Sequence, residues 1–105
     1  MVRVAVYDDN RSRRESLQAF ILLSTDLEFV GSFENTASVL DDMSICKPDI
    51  ILMDIEMPGG DGIEGVRKVK QEFPAIKIIM QTAFDDDDKV FAALQAGAEG
   101  YILKT

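Results

Sequence analysis

The chain has no histidine and no tryptophan, and one cysteine, among 105 residues. Without histidine, Ser-His-Asp triads and Cys-His nucleophiles are excluded, and so are zinc sites with imidazole ligands. Cys46 alone cannot close an internal disulfide, so nothing in the sequence calls for an oxidising compartment. Positive charge is scarce: 11 Lys and Arg stand against 19 Asp and Glu, a net charge of −8. That balance is poorly suited to gripping a nucleic-acid backbone or an anionic membrane. No apolar run approaches the roughly 20 residues that a membrane span requires. Met1-Val2-Arg3-Val4 shows no basic segment leading into an apolar one, so no signal peptide is expected. The expected setting is the cytoplasm, without membrane attachment. The length fits one domain over residues 1–105, long enough to bury roughly two-thirds of its unfolded surface.

What is present is an alternation of short apolar runs and longer amphipathic stretches. Val2–Tyr7 is β-rich and stops at Asp8-Asp9-Asn10, a group of turn-forming and helix-capping side chains. From Arg11 to Ser24, residues Leu17, Phe20, Ile21 and Ser24 recur at helix spacing. Glu28–Phe33 reads as a second strand, and Asn35–Met43 as a short helix with Asn35 as its N-cap. Asp49–Met53 is almost wholly apolar, as expected of a strand buried on both faces, and ends at Asp54. Met57–Gly62 is a loop by composition, after which Ile63, Val66, Val69 and Phe73 mark a third helix stopped by Pro74. Ile76–Gln81 is a fourth strand ending at Thr82. The acidic run Asp85–Asp88 precedes a fourth helix through Val90, Ala93 and Leu94 that ends at Gly97. Glu99–Leu103 is a fifth strand, followed by Lys104. Four β-α units and a final strand predict an α/β fold with an open parallel sheet and helices on its faces.

In such a sheet, sites form in the crevice outside the carboxyl ends of the strands. The residues there are Asp8 and Asp9, Asp54, Thr82 and Lys104. Taken singly, each has an ordinary explanation as a cap, a turn residue or a solvated charge. Their joint placement at strand ends does not. Three adjacent carboxylates repel one another unless a cation neutralises them. With no His or Cys ligand at hand, an all-oxygen set suits a hard divalent ion such as Mg²⁺. A cation of that kind, a Lys and a Thr hydroxyl together suit phosphoryl oxygens, and a carboxylate among them is a plausible nucleophile toward phosphorus. The run Asp85–Asp88 is assigned to the helix dipole and to surface charge. Met53, Met57 and Met80 are assigned to packing, and Cys46 is taken as a small apolar residue.

The pieces VYDDN at Val6–Asn10, LMDIEMPGGDG at Leu52–Gly62, QTA at Gln81–Ala83 and AGAEGYILKT at Ala96–Thr105 resemble the receiver domain of bacterial two-component response regulators. The ending is most similar to the branch that carries a LuxR-type helix-turn-helix output domain. The resemblance implies a flavodoxin-like, doubly wound five-stranded parallel sheet in the order 2-1-3-4-5, the order already associated with a member of this family. It implies Asp54 as phosphoacceptor, with a histidine kinase, a phosphotransfer protein or a small phosphodonor supplying the phosphoryl group. Asp9 would ligate Mg²⁺ directly, Asp8 largely through water, Asp54 as part of the site, and Glu56 through its backbone carbonyl. Thr82 would hydrogen-bond the phosphoryl group and Lys104 pair with it. Tyr101 matches the switch aromatic that turns inward as Thr82 moves. Met57-Pro58 and Gly62 match the loop shaping the site, and Ala83 the small residue beside the phosphoryl position.

Two departures accompany the resemblance. Family members usually continue into a fifth helix, which this sequence lacks, so apolar residues of the fourth and fifth strands are expected to be exposed or to contact a second copy. Glu56 and Phe84 occupy variable positions that tune dephosphorylation. The expected role is a phosphorylation-activated switch with no enzyme activity beyond its own phosphorylation and slow dephosphorylation. Nucleic-acid binding is not expected of this domain, and DNA control belongs to a longer parent protein. The alternatives are a receiver-like module that works by contact without phosphorylation, and a haloacid-dehalogenase-type phosphatase. Asp54-Ile55-Glu56 mimics the acid spacing of that phosphatase family loosely.

Overall fold

The structure, a computed structural model, describes residues 1–57, 60–82 and 87–104; the side chains of Glu56, Asp61 and Asp87 lie outside that description. The expectations attached to Pro58, Ala83, Phe84, Asp85 and Asp86 fall outside the described residues.

Five strands form the main sheet: β1 (Val2–Tyr7), β2 (Leu27–Phe33), β3 (Ile50–Asp54), β4 (Lys77–Thr82) and β5 (Gly100–Leu103). All neighbouring pairs are parallel and the order is 2-1-3-4-5, the flavodoxin-like arrangement expected. Four helices connect them: α1 (Arg11–Leu23), α2 (Val39–Cys46), α3 (Gly62–Glu72) and α4 (Asp87–Ala96). The central strands are apolar on both faces because both faces are covered. Val4 and Val6 meet Ile21 of α1 on one side, with Leu17 and Leu52 packed against them. The other side carries the larger core, in which Tyr7, Ile51, Met53, Ile78 and Met80 meet Met43, Val66, Val69 and Ala93. The methionines at 53, 57 and 80 are buried, as their assignment to packing requires.

Several expectations shift. The second helix runs over Val39–Cys46, not Asn35–Met43, and the position before it is Ser38. Asn35 accepts instead from the amide of Ala37 at 2.9 Å, a local turn that competes with helix initiation. Phe20, expected on the apolar face of α1, is 71% exposed, because Leu17 and Ile21 already fill the contact with the sheet. The loop after β3 contains a short antiparallel ribbon pairing Glu56–Met57 with Gly60–Asp61. On β5, Tyr101, Ile102 and Leu103 are about half exposed.

Two details hold the edges that carry the site. Gly62 starts α3 directly against the chain leaving β3, where an added Cβ would run into the carbonyl oxygens of Asp54 and Ile55. At the other edge, Gly97 ends α4 with φ +122, a conformation in which glycine is favoured. Glu99 then clamps β5 to its neighbours. Its carboxylate accepts from Lys70 Nζ at 2.8 Å and from the Ile78 amide at 2.9 Å. Burial tends to raise this carboxyl, yet the Lys70 and Ile78 hydrogen bonds and the charges of Lys70 and Lys77 outweigh burial and hold it below its ordinary 4.5.

Gly62→Ala is expected to destabilise the protein by about 1–3 kcal/mol, since backbone atoms must move to admit the methyl. Urea denaturation measures this, and an unchanged midpoint would show that the contact is slack. A depressed carboxyl stabilises the fold above its unfolded value and loses that contribution as pH falls through the folded value. Glu99→Gln should therefore cost about 1 kcal/mol at neutral pH, a modest figure because the pair is partly solvated. The deficit should shrink when the same urea titration is repeated well below 4.5; a deficit independent of pH would assign the effect to packing.

Candidate functional site

The site is assembled from residues at or just past the carboxyl ends of the strands, and backbone hydrogen bonds continue beyond β1, β3 and β5. Beyond β1, the Asp8 amide donates to the Phe33 carbonyl at 3.0 Å. Beyond β3, the Ile55 amide donates to the Gln81 carbonyl at 3.0 Å, fixing the chain that follows Asp54. Beyond β5, the Lys104 amide donates to the Thr82 carbonyl at 2.7 Å. Parallel pairing thus continues one residue past β1, β3 and β5, which fixes the backbone around Asp8, Asp54 and Lys104.

Asp8, Asp9 and Asp54 come together as expected, each offering a carboxylate oxygen within 4.8 Å of the others. Asp8 and Asp54 are buried, whereas Asp9 is exposed. Lys104 Nζ lies 2.8 Å from Asp54 Oδ2 and 3.4 Å from Asp8 Oδ2, so one ammonium bridges two buried acids. Thr82 is buried at the end of β4. Glu56 opens the ribbon two residues after Asp54. Tyr101 follows Gly100 into β5, paired with Met80, and is 47% exposed.

Local sequence explains why Asp8 is not spent as the helix cap. Asn10, not either aspartate, caps α1, its Oδ1 accepting from the Arg13 amide at 3.1 Å. Asp8 Oδ1 accepts from the Asn10 amide at 2.9 Å. Asp8 Oδ2 is buried and has no hydrogen bond. That oxygen is held by charge alone, and with two further carboxylates in an all-oxygen set it fits a hard divalent cation such as Mg²⁺. The residues present therefore suit the ion that the sequence resemblance implies.

Two residues belong to this region that the sequence reading did not single out. Arg14 Nη1 donates to the Asp8 carbonyl at 2.8 Å, and Arg13 Nε lies 3.3 Å from Asp8 Oδ2. A signal was present in the sequence. Arginines in the first turn of a helix oppose its dipole, so their placement calls for nearby negative charge.

Known proteins match this arrangement along the whole chain. The family model described as the response regulator receiver domain matches residues 4–105. The transcriptional regulatory protein LiaR of Bacillus subtilis (strain 168) is 40% identical over 105 residues, all of this chain and 50% of that protein. The response regulator protein VraR of Staphylococcus aureus (strain COL) is 36% identical over 104 residues, 99% of this chain and 50% of that protein. The chain thus spans about half the length of these curated relatives. Among solved structures, the putative response regulator NarL from Mycobacterium tuberculosis has a signal receiver domain that superposes with a TM-score of 0.89. It is 33% identical, covering 97% of this chain and 82% of that one. A LuxR-family two-component response regulator from Aurantimonas sp. SI85-9A1 superposes at 0.92 with 28% identity, over 100% of this chain and 75% of that one. Motifs, strand order and these matches agree: the chain belongs to the response regulator receiver domain family.

Proposed function

We propose that this receiver domain works as a phosphoacceptor switch, with Asp54 taking a phosphoryl group in a Mg²⁺-dependent reaction. The observation that carries this reading is the buried Asp54 carboxylate held 2.8 Å from Lys104 Nζ inside the Asp8-Asp9-Asp54 cluster. The donor is a phosphohistidine on a histidine kinase or phosphotransfer protein, or a small phosphodonor such as acetyl phosphate. A carboxylate oxygen of Asp54 attacks phosphorus and forms the new O–P bond as the donor's N–P bond, or its P–O bond, breaks. The leaving histidine nitrogen or acetate departs with the bonding electrons.

Each neighbouring residue has a part in this chemistry. Lys104 offsets charge on the phosphoryl oxygens, and the Thr82 hydroxyl donates to one of them. Asp8, Asp9, Asp54 and the Glu56 carbonyl are the group that would hold the divalent ion, which when bound neutralises phosphoryl charge. Thr82 moving toward the phosphoryl group leaves room into which Tyr101 turns from its half-exposed position, a shift between pre-existing arrangements. Control of transcription is the output of a longer protein of which 1–105 is the receiver domain. The half-exposed Tyr101, Ile102 and Leu103 support a further helix or a second copy of the domain covering β5. The setting consistent with kinase contact is the cytoplasm.

Incubation with acetyl phosphate should add the mass of one phosphoryl group in the presence of Mg²⁺, and none without it or in Asp54→Ala. Intact mass spectrometry reads this, and absence of any gain favours a module acting by contact alone. Thr82→Ala should still accept the phosphoryl group yet lose the accompanying change in the Tyr101 NMR signals. A change that survives the substitution would remove Thr82 from the switch.

A further inference from the structure

The first turn of α1 carries Arg11, Arg13 and Arg14 and no acidic residue. Cations at this end oppose the helix dipole, so something outside the helix must account for them. Arg11 pairs with Glu15 on the exposed surface, and Arg14 holds the Asp8 carbonyl. Arg13 differs from both, because its guanidinium meets a carboxylate of the acidic cluster. Its Nε lies 3.3 Å from Asp8 Oδ2, and that nitrogen is buried without a hydrogen bond. Charge, not a directed hydrogen bond, holds the contact.

Asp8 is consequently committed on both oxygens. Oδ1 takes the Asn10 amide, while Oδ2 lies between Arg13 at 3.3 Å and Lys104 at 3.4 Å. We propose that Arg13 is a built-in competitor for the divalent cation. Its guanidinium neutralises Asp8 in the cation-free protein and has to give way as the ion binds, so it sets the concentration at which the site fills. The side chain is 31% exposed, which leaves it a route outward to solvent. Lys104 cannot take this role, since it also holds Asp54. A monovalent and a divalent charge a few Å apart repel enough, even near the dielectric of water, to lower affinity on the order of tenfold.

This inference rests on the reading of the cluster as a divalent-cation site, and the experiment separates the two. Mn²⁺ is titrated into the purified chain and the free ion is counted by electron paramagnetic resonance, with Mg²⁺ displacing it. Compared are the parent, Arg13→Met, Arg13→Lys, Arg11→Met and Asp9→Asn. Arg13→Met keeps an unbranched apolar stem while deleting the charge, and should bind Mn²⁺ roughly tenfold tighter. Arg13→Lys should stay near the parent. Arg11→Met, which removes equal charge from the same turn, should change affinity far less. Thermal denaturation without divalent ion supplies a second readout: Arg13→Met should melt below the parent, and saturating Mg²⁺ should close the gap. Equal or weaker binding by Arg13→Met overturns the proposal while leaving the cation site standing, provided Asp9→Asn loses affinity. An equal gain in Arg11→Met also overturns it, because the effect is then one of net charge. Failure of every chain to bind Mn²⁺ overturns both readings.

Discussion

Everything at the working edge of this protein depends on bringing three carboxylates together with the chain's own cations to hold them. Two of them, Asp8 and Asp54, are buried. Burial strengthens their repulsion and removes the water that would otherwise screen it. The fold answers with Lys104, which spans both acids from the end of β5, and with Arg13 from the first turn of α1. Arg14 adds a further positive group close by, on the Asp8 carbonyl.

The same constraint explains how the sheet ends are built. Carboxylates that must stay a few Å apart need backbone that does not give way, and the strand ladders extend one residue past β1, β3 and β5 to supply it. Around them the supports are steric and electrostatic. Gly62 lets α3 start against the Asp54 carbonyl, and the Lys70–Glu99 pair ties the approach to β5 to α3 and β4. Lys104 is therefore positioned by contacts made several residues earlier in the chain.

Much of this was legible in the order of residues. The apolar runs ending in Asp8, Asp54 and Thr82 mark strands, and the rule that sites form at strand carboxyl ends gathers the acids, Thr82 and Lys104 at one edge of the sheet. Periodicity located α1, α3 and α4 to within a few residues. It placed α2 too early, because Asn35 reads as a cap while its side chain in fact closes a turn onto Ala37. It also assigned Phe20 inward, since helix spacing defines a stripe but not how wide a stripe the sheet can cover.

Sequence by itself determined the α/β alternation, the acidic all-oxygen chemistry and the identity of the residues at the sheet edge, because these follow from periodicity and from which side chains exist. Tertiary structure alone decided that Arg13 reaches Asp8, that Lys104 bridges two acids, and that Asn10 takes over the capping that would otherwise occupy an aspartate. Those are distances between groups far apart in the chain or competing within one turn. Spacing along a sequence carries no term for them; only the packed arrangement, in which each carboxylate oxygen has limited room and a limited set of neighbours, chooses among the partners available.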